Sequence, residues 1–134
     1  MINRLGDSLD FQSQALTLRS ERQRLLASNI ANADTPGYVA RDLDFASALR
    51  EATGSASLGT AALRAGLPGH AGVAAEAHLR YAAPSQSNLD GNSVDMHRER
   101  ASFADNSVKY EATLRFINSH VRSMLDAMKS PQQG

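Results

Sequence analysis

The residues best suited to metal binding or proton transfer in this 134-residue chain are four histidines, His70, His78, His97 and His120. A metal needs several such ligands on one helix face or in one short loop, and none of the four has that spacing to a second ligand. With no cysteine, thiolate ligation and disulfides are excluded. Asp90 to Asp95, DGNSVD, has the opening acids of a calcium loop, but Val94 fills a ligand position and Asp95 stands where the glycine belongs. This stretch is expected to start a helix instead. GLPGHAG (66–72) lacks the G-x-G-x-x-G spacing that cradles phosphate, and GSASLG (54–59) is not the G-x-S-x-G of a nucleophile elbow. The sequence therefore predicts no enzyme, no cofactor and no metal.

The next candidates are basic residues. Arg4, Arg19, Arg22 and Arg24 are interleaved with Asp7, Asp10 and Glu21, and fourteen basic side chains balance fourteen acidic ones. No field of one sign is available to attract nucleic acid or an anionic membrane. MINRLGDSLDFQSQALTLRS has neither an apolar leader core nor a small-residue cleavage pattern. No apolar run approaches spanning length, so the chain is expected to be soluble when made, without membrane insertion. Absence of cysteine suits a cytosolic protein, and equally one that passes unfolded through an export channel.

What remains is the architecture. At 134 residues the chain has room for one domain, and 5% aromatic content gives it a thin conventional core. Residues 1–33 contain Gly6 as their one glycine and no proline, which predicts a long helix. One strip on it runs Ile2, Leu5, Leu9, Leu16, Leu26, Ile30, broken by Gln12, Arg19 and Gln23; a second runs Phe11, Leu18, Leu25. Apolar residues on opposing faces require a partner on each side. Asp34-Thr35-Pro36-Gly37 stops the helix, because proline pushes Thr35 out of helical geometry and Pro-Gly suits the centre of a tight turn. If that turn is type II, Gly37 has a positive φ.

DFASALREA (44–52) reads as a short helix capped by Asp44. Residues 53–92 hold six of the nine glycines and two of the four prolines, without sustained periodicity. They are expected to form an extended excursion with room for short strands. A second long helix is expected from Asn92 or Ser93 to about 129, with Asp95 and Glu99 in its opening turns. Its apolar stripe is Phe103, Tyr110, Leu114, Ile117, Val121, Met124, Met128, a coiled-coil spacing. The fold class is thus mainly α: long N- and C-terminal helices packed as a coiled-coil-like hairpin around an extended connection.

SNIANADTPGY (28–38) resembles the N-terminal signature of bacterial flagellar axial proteins, the rod, hook and hook-junction subunits. That signature has Asn-x-Ala-Asn followed by Thr-x-Gly-Tyr. Within this superfamily, ADTPGYVARDLDFASAL and LDGNSVDMHRERASFADNSVKYEA are similar to the proximal rod subunits. His78-Leu79-Arg80-Tyr81 and Pro84-x-Gln86 before LDGN fit as well. The likeness covers residues 1 to about 52 and 78 to about 128. His97 stands where the family leads one to expect an acid.

The resemblance implies a structural subunit whose terminal helices pack into a tube that carries torque. It implies self-association in a helical assembly, with other rod subunits and the basal-body adaptor FliE as neighbours. It implies secretion by the flagellar type III export apparatus without signal cleavage, to the periplasmic side of the basal body. The assembly residues would be Leu9, Leu16, Leu18, Leu25, Asn29, Asn32, Thr35, Pro36, Gly37 and Tyr38 on the first helix and its turn. On the second helix they would be Phe103, Tyr110, Leu114, Ile117, Val121 and Met124. Asn29 and Asn32, three apart, would satisfy carbonyls freed at the helix end or bond a neighbouring subunit's backbone. A small helical export chaperone or adaptor is the rival reading; it has no need of the TPGY turn.

Overall fold

The structure of the protein, a computed structural model, describes residues 2–54, 79–81 and 89–129. Helix α1 spans Ile2–Ala31, strand β1 Arg41–Leu43, helix α2 Phe45–Gly54, strand β2 Leu79–Tyr81 and helix α3 Met96–Met128. Most of the expected 53–92 excursion, with GSASLG, GLPGHAG and Pro84-x-Gln86, lies outside the described residues.

α1 ends two residues before the sequence suggested. Ala33 N–H donates to Ile30 O at 3.3 Å and Thr35 N–H to Asn32 O at 3.0 Å, so the chain tightens through Asn32–Asp34 before the proline. Tyr38 N–H then donates to Thr35 O at 3.2 Å, closing a turn around Pro36 and Gly37, and Gly37 has φ +73°. The positive φ is the one a type II turn demands. β1 pairs antiparallel with β2, with Asp42 opposite Arg80. α2 starts after Asp44, whose carboxylate accepts the Ser47 hydroxyl at 2.7 Å and the Ser47 N–H at 3.4 Å.

α3 starts later than expected. Its N-cap is Asp95, whose Oδ1 accepts from His97 N–H at 3.1 Å and Arg98 N–H at 3.2 Å. Asn92 and Ser93, the sequence candidates for this cap, are used elsewhere. Lys129 ends the helix in extended backbone.

Leu18 and Leu25 are buried with Leu43 and Ala48, and Phe45, Leu49, Ala52 and Leu79 close over them. One face of α1 is thereby covered by α2 and the strand pair. The Arg19 guanidinium lies 4.3 Å from the centre of the Phe45 ring, at the margin of this cluster. Arg22 forks onto Asp42 at 3.2 and 3.4 Å, pinning β1 to the helix.

A second face of α1 meets α3. Asn29 pairs with Glu99, while Arg19 and Gln23 meet Asn106, so the helices run antiparallel. The middle of this seam is polar. Asn106, fully buried, donates through Nδ2 to Arg19 O at 2.9 Å and to Gln23 Oε1 at 2.7 Å, and Gln23 donates to Ser107 Oγ at 2.7 Å. Arg19 and Gln23, which interrupt the apolar strip of α1, are therefore seam residues. Glu99, Asn106 and Thr113, seven apart, are the buried positions of α3. The apolar stripe runs beside this seam: Phe103, Tyr110, Ile117 and Met124 are half-buried, whereas Leu114, Val121 and Met128 are exposed.

Candidate assembly site

The two sequence signatures close on each other. Gly37 N–H donates to Asp90 O at 2.8 Å, Ser93 N–H donates to Tyr38 O at 3.0 Å, and Ala40 N–H donates to Ser93 Oγ at 2.8 Å. Thr-Pro-Gly-Tyr and Leu-Asp-Gly-Asn are thus two sides of one joint, where α1 ends and α3 is about to begin.

Asn92 holds the joint from within. It is 1% exposed, and its Nδ2 lies 2.9, 2.8 and 2.8 Å from the carbonyl oxygens of Asn32, Ala33 and Thr35. Its Oδ1 accepts from Val94 N–H at 2.8 Å. The carbonyls of the turn that follows α1 are therefore held from about sixty residues away. Asn32 contributes one local bond, donating to Ser28 O at 2.8 Å, and its Oδ1 accepts from Thr35 Oγ1 at 3.1 Å.

Within the chain Asn29 takes none of the carbonyls freed at the helix end. It grips the main chain of Arg41, donating to Arg41 O at 2.7 Å and accepting from Arg41 N–H at 3.1 Å. Tyr38 OH donates to Asn29 Oδ1 at 3.2 Å, and the remaining Nδ2 hydrogen goes to Glu99 Oε2 at 3.1 Å. One buried amide thereby ties α1, the turn, β1 and α3 together. Burial pushes the Glu99 carboxyl above the usual carboxylate range, against the opposing bond from Asn29.

The residues expected to assemble fall into three groups. Asn29, Asn32, Thr35, Pro36, Gly37 and Tyr38 are brought together in the joint. Leu18 and Leu25 are spent inside the chain, and Leu9 and Leu16 are half-buried along α1. The α3 stripe forms one wall of a groove of about 460 Å³, lined by Ser20, Gln23, Arg24 and Ala27 of α1 and Phe103, Ser107 and Tyr110 of α3. Leu114, Val121, Leu125 and Met128 continue that face outward, 37, 41, 56 and 80% exposed. Sequence reasoning missed Asn92 and Asn106 as anchors. For Asn92 the signal was the preceding glycine, whose φ of +75° turns the chain back onto Gly37.

Among the described residues no group of three or more His, Cys, Asp or Glu side chains could hold a metal ion, and no helix is long and apolar enough to cross a membrane. His97 is exposed and His120 half-buried on α3; His70 and His78 lie outside the described residues.

Residues 9–38, which include most of α1 and the turn, match the family model for flagella basal body rod protein. The whole chain aligns with the flagellar basal body rod protein FlgB of Proteus mirabilis (strain HI4320), 46% identical over 140 residues and covering all of both chains. It is 47% identical to FlgB of Salmonella typhimurium over 96% of this chain and 98% of that one. FlgB of Escherichia coli K12 is 45% identical over 97% and 99%. The chain belongs to the FlgB family of flagellar basal body rod proteins. As a member of the FlgB family it is a structural subunit of the flagellar rod and not an enzyme, and its place is the basal body. Likeness over the full length of several FlgB proteins disfavours the chaperone reading.

Proposed function

We propose that the chain is a proximal rod subunit whose α1–α3 hairpin packs side by side with neighbouring subunits, forming part of the shaft that transmits motor torque. Its neighbours on this reading are other copies, the other rod subunits and the adaptor FliE. It reaches the periplasmic side through the type III export apparatus without signal cleavage. The joint fixes where residues 38–45 leave α1, and the outer stripe of α3 supplies the contact with the next subunit.

The observation that carries this reading is the uncovered apolar row Leu114, Val121, Leu125, Met128 on α3. Each such side chain gains about 1.5–3 kcal/mol on going from full exposure to full burial, and the isolated hairpin leaves part of that gain unused. The absence of cysteine provides a clean test. Leu125→Cys introduces a single thiol, which should react readily with a maleimide in the purified chain and be protected in isolated basal bodies. Equal labelling in both would overturn the reading, as would an intact rod in cells lacking the protein.

A further inference from the structure

Glu99 is the one buried acid among the described residues, 6% exposed in the opening turns of α3. Among the described residues its side chain has one hydrogen-bond partner, the Asn29 amide at 3.1 Å. Among the described residues no cation stands within ion-pair distance of it. The charged groups that face it are Asp42 from β1 and Asp95 and Arg98 from α3. Arg22 of α1 is already engaged by Asp42, and Arg98 of α3 is exposed. Two carboxylates and one solvated guanidinium leave a buried negative charge poorly compensated.

Asn29 has nothing in reserve. Its oxygen accepts from Tyr38 OH and Arg41 N–H, and its two hydrogens go to Arg41 O and Glu99. If Glu99 moves outward to hydrate its charge, one arm of this four-way tie is lost. We propose that Glu99 is a pH-sensitive latch of the joint: protonated, it seats the start of α3 on Asn29 and through it on β1, and ionised, it loosens that seat.

The sign follows from the burial. Desolvation raises the native carboxyl above its unfolded value; Asp42 and Asp95 push the same way, while the Asn29 bond and Arg98 oppose without prevailing. Stability from this site is therefore fully present below the ordinary glutamate range. It is lost as pH rises from that range through the elevated native value. Within that window one proton changes the folding equilibrium by up to about tenfold per pH unit.

The test uses the full chain, with side-chain carboxyl NMR and urea unfolding from roughly pH 4 to pH 8, spanning the ordinary carboxylate and imidazole ranges. Glu99 should titrate above the ordinary glutamate range, and the unfolding midpoint should fall as it ionises. Glu99→Gln, which keeps an acceptor for Asn29 without the charge, should lose that fall and be the more stable chain at the alkaline end. Asp42→Asn should move the Glu99 titration to lower pH. An ordinary glutamate titration for Glu99 in the wild-type chain would overturn the latch. So would a Glu99→Gln profile parallel to the wild type.

Discussion

Gly37 and Gly91 stand back to back across the joint, with φ of +73° and +75°; a Cβ on Gly91 would lie 3.7 Å from the Gly37 Cα. That distance is ordinary contact, so crowding is not what reserves these positions for glycine. The backbone angle is. Each glycine reverses the chain so that residues 37–40 and 90–93 can exchange the hydrogen bonds that unite the ends of α1 and α3.

Gly37→Val should accordingly lower stability by about 1–3 kcal/mol, the cost of a β-branched residue at positive φ. Gly37→Asn should be milder, because asparagine tolerates that conformation. Gly6→Ala is the control: nothing lies within 4 Å of an added Cβ there, and removing an interior helix glycine should gain up to about 1 kcal/mol. Thermal unfolding of the three variants decides. On swarm plates, with export checked by blotting, Gly37→Val should fail where Pro36→Ala is only weakened.

Asn92 offers a sharper chemical test. Its Nδ2 faces three carbonyl oxygens. Asn92→Ala removes the donor; Asn32 O and Thr35 O keep the backbone N–H groups of Thr35 and Tyr38, while Ala33 O loses its side-chain partner, at about 1–3 kcal/mol. Asn92→Asp should be worse than alanine despite being nearly isosteric, since it turns a carboxylate oxygen toward the same carbonyls. Denaturant unfolding near neutral pH measures both, and a benign Asn92→Asp would mean the cap is not held by this amide.

The long helices, the Thr-Pro-Gly turn and the positive φ at Gly37 were legible because each depends on local residue preferences. The partners of Asn29 were not, because Arg41 and Glu99 are brought to it by two chain reversals. Asn92, Ser93 and Asp95 all have side chains suited to an N-cap. Only their contacts separate them, with Asp95 capping α3 while Asn92 and Ser93 serve the opposite end of the joint. Periodicity marked an apolar stripe on α3, and that stripe runs beside the seam rather than within it. The seam went to Glu99, Asn106 and Thr113, because Asn106 finds acceptors in Arg19 O and Gln23 Oε1, positions that look like faults in the α1 strip until the helices are laid together.

That polar seam should couple measurably. Asn106→Ala and Gln23→Ala each break the 2.7 Å amide pair. Their double-mutant cycle should give a coupling energy of about 0.5–3 kcal/mol. A coupling near zero would show that the helices are held by other contacts. The loss should exceed that for breaking the Glu111–Arg115 pair, whose side chains are 64 and 79% exposed.

The outer stripe and the inner core make opposite predictions for the same substitution. Leu18 is fully buried against α2 and the strand pair, so Leu18→Asp places an unpaired charge in the core and should unfold the chain. Leu114 is 37% exposed beside the seam, so Leu114→Asp should cost the isolated chain little. In the rod the same position would be covered by a neighbouring subunit, and the charge would then cost several kcal/mol per contact. Leu114→Asp should therefore leave the purified chain folded and its secretion unchanged while abolishing swimming. Arg122→Asp, at an exposed position on α3 that is not part of the apolar row, should swim nearly as wild type. If Leu114→Asp unfolds the isolated chain, its side chain serves the hairpin itself. If it swims, the row Leu114, Val121, Leu125, Met128 is not the face on which subunits meet.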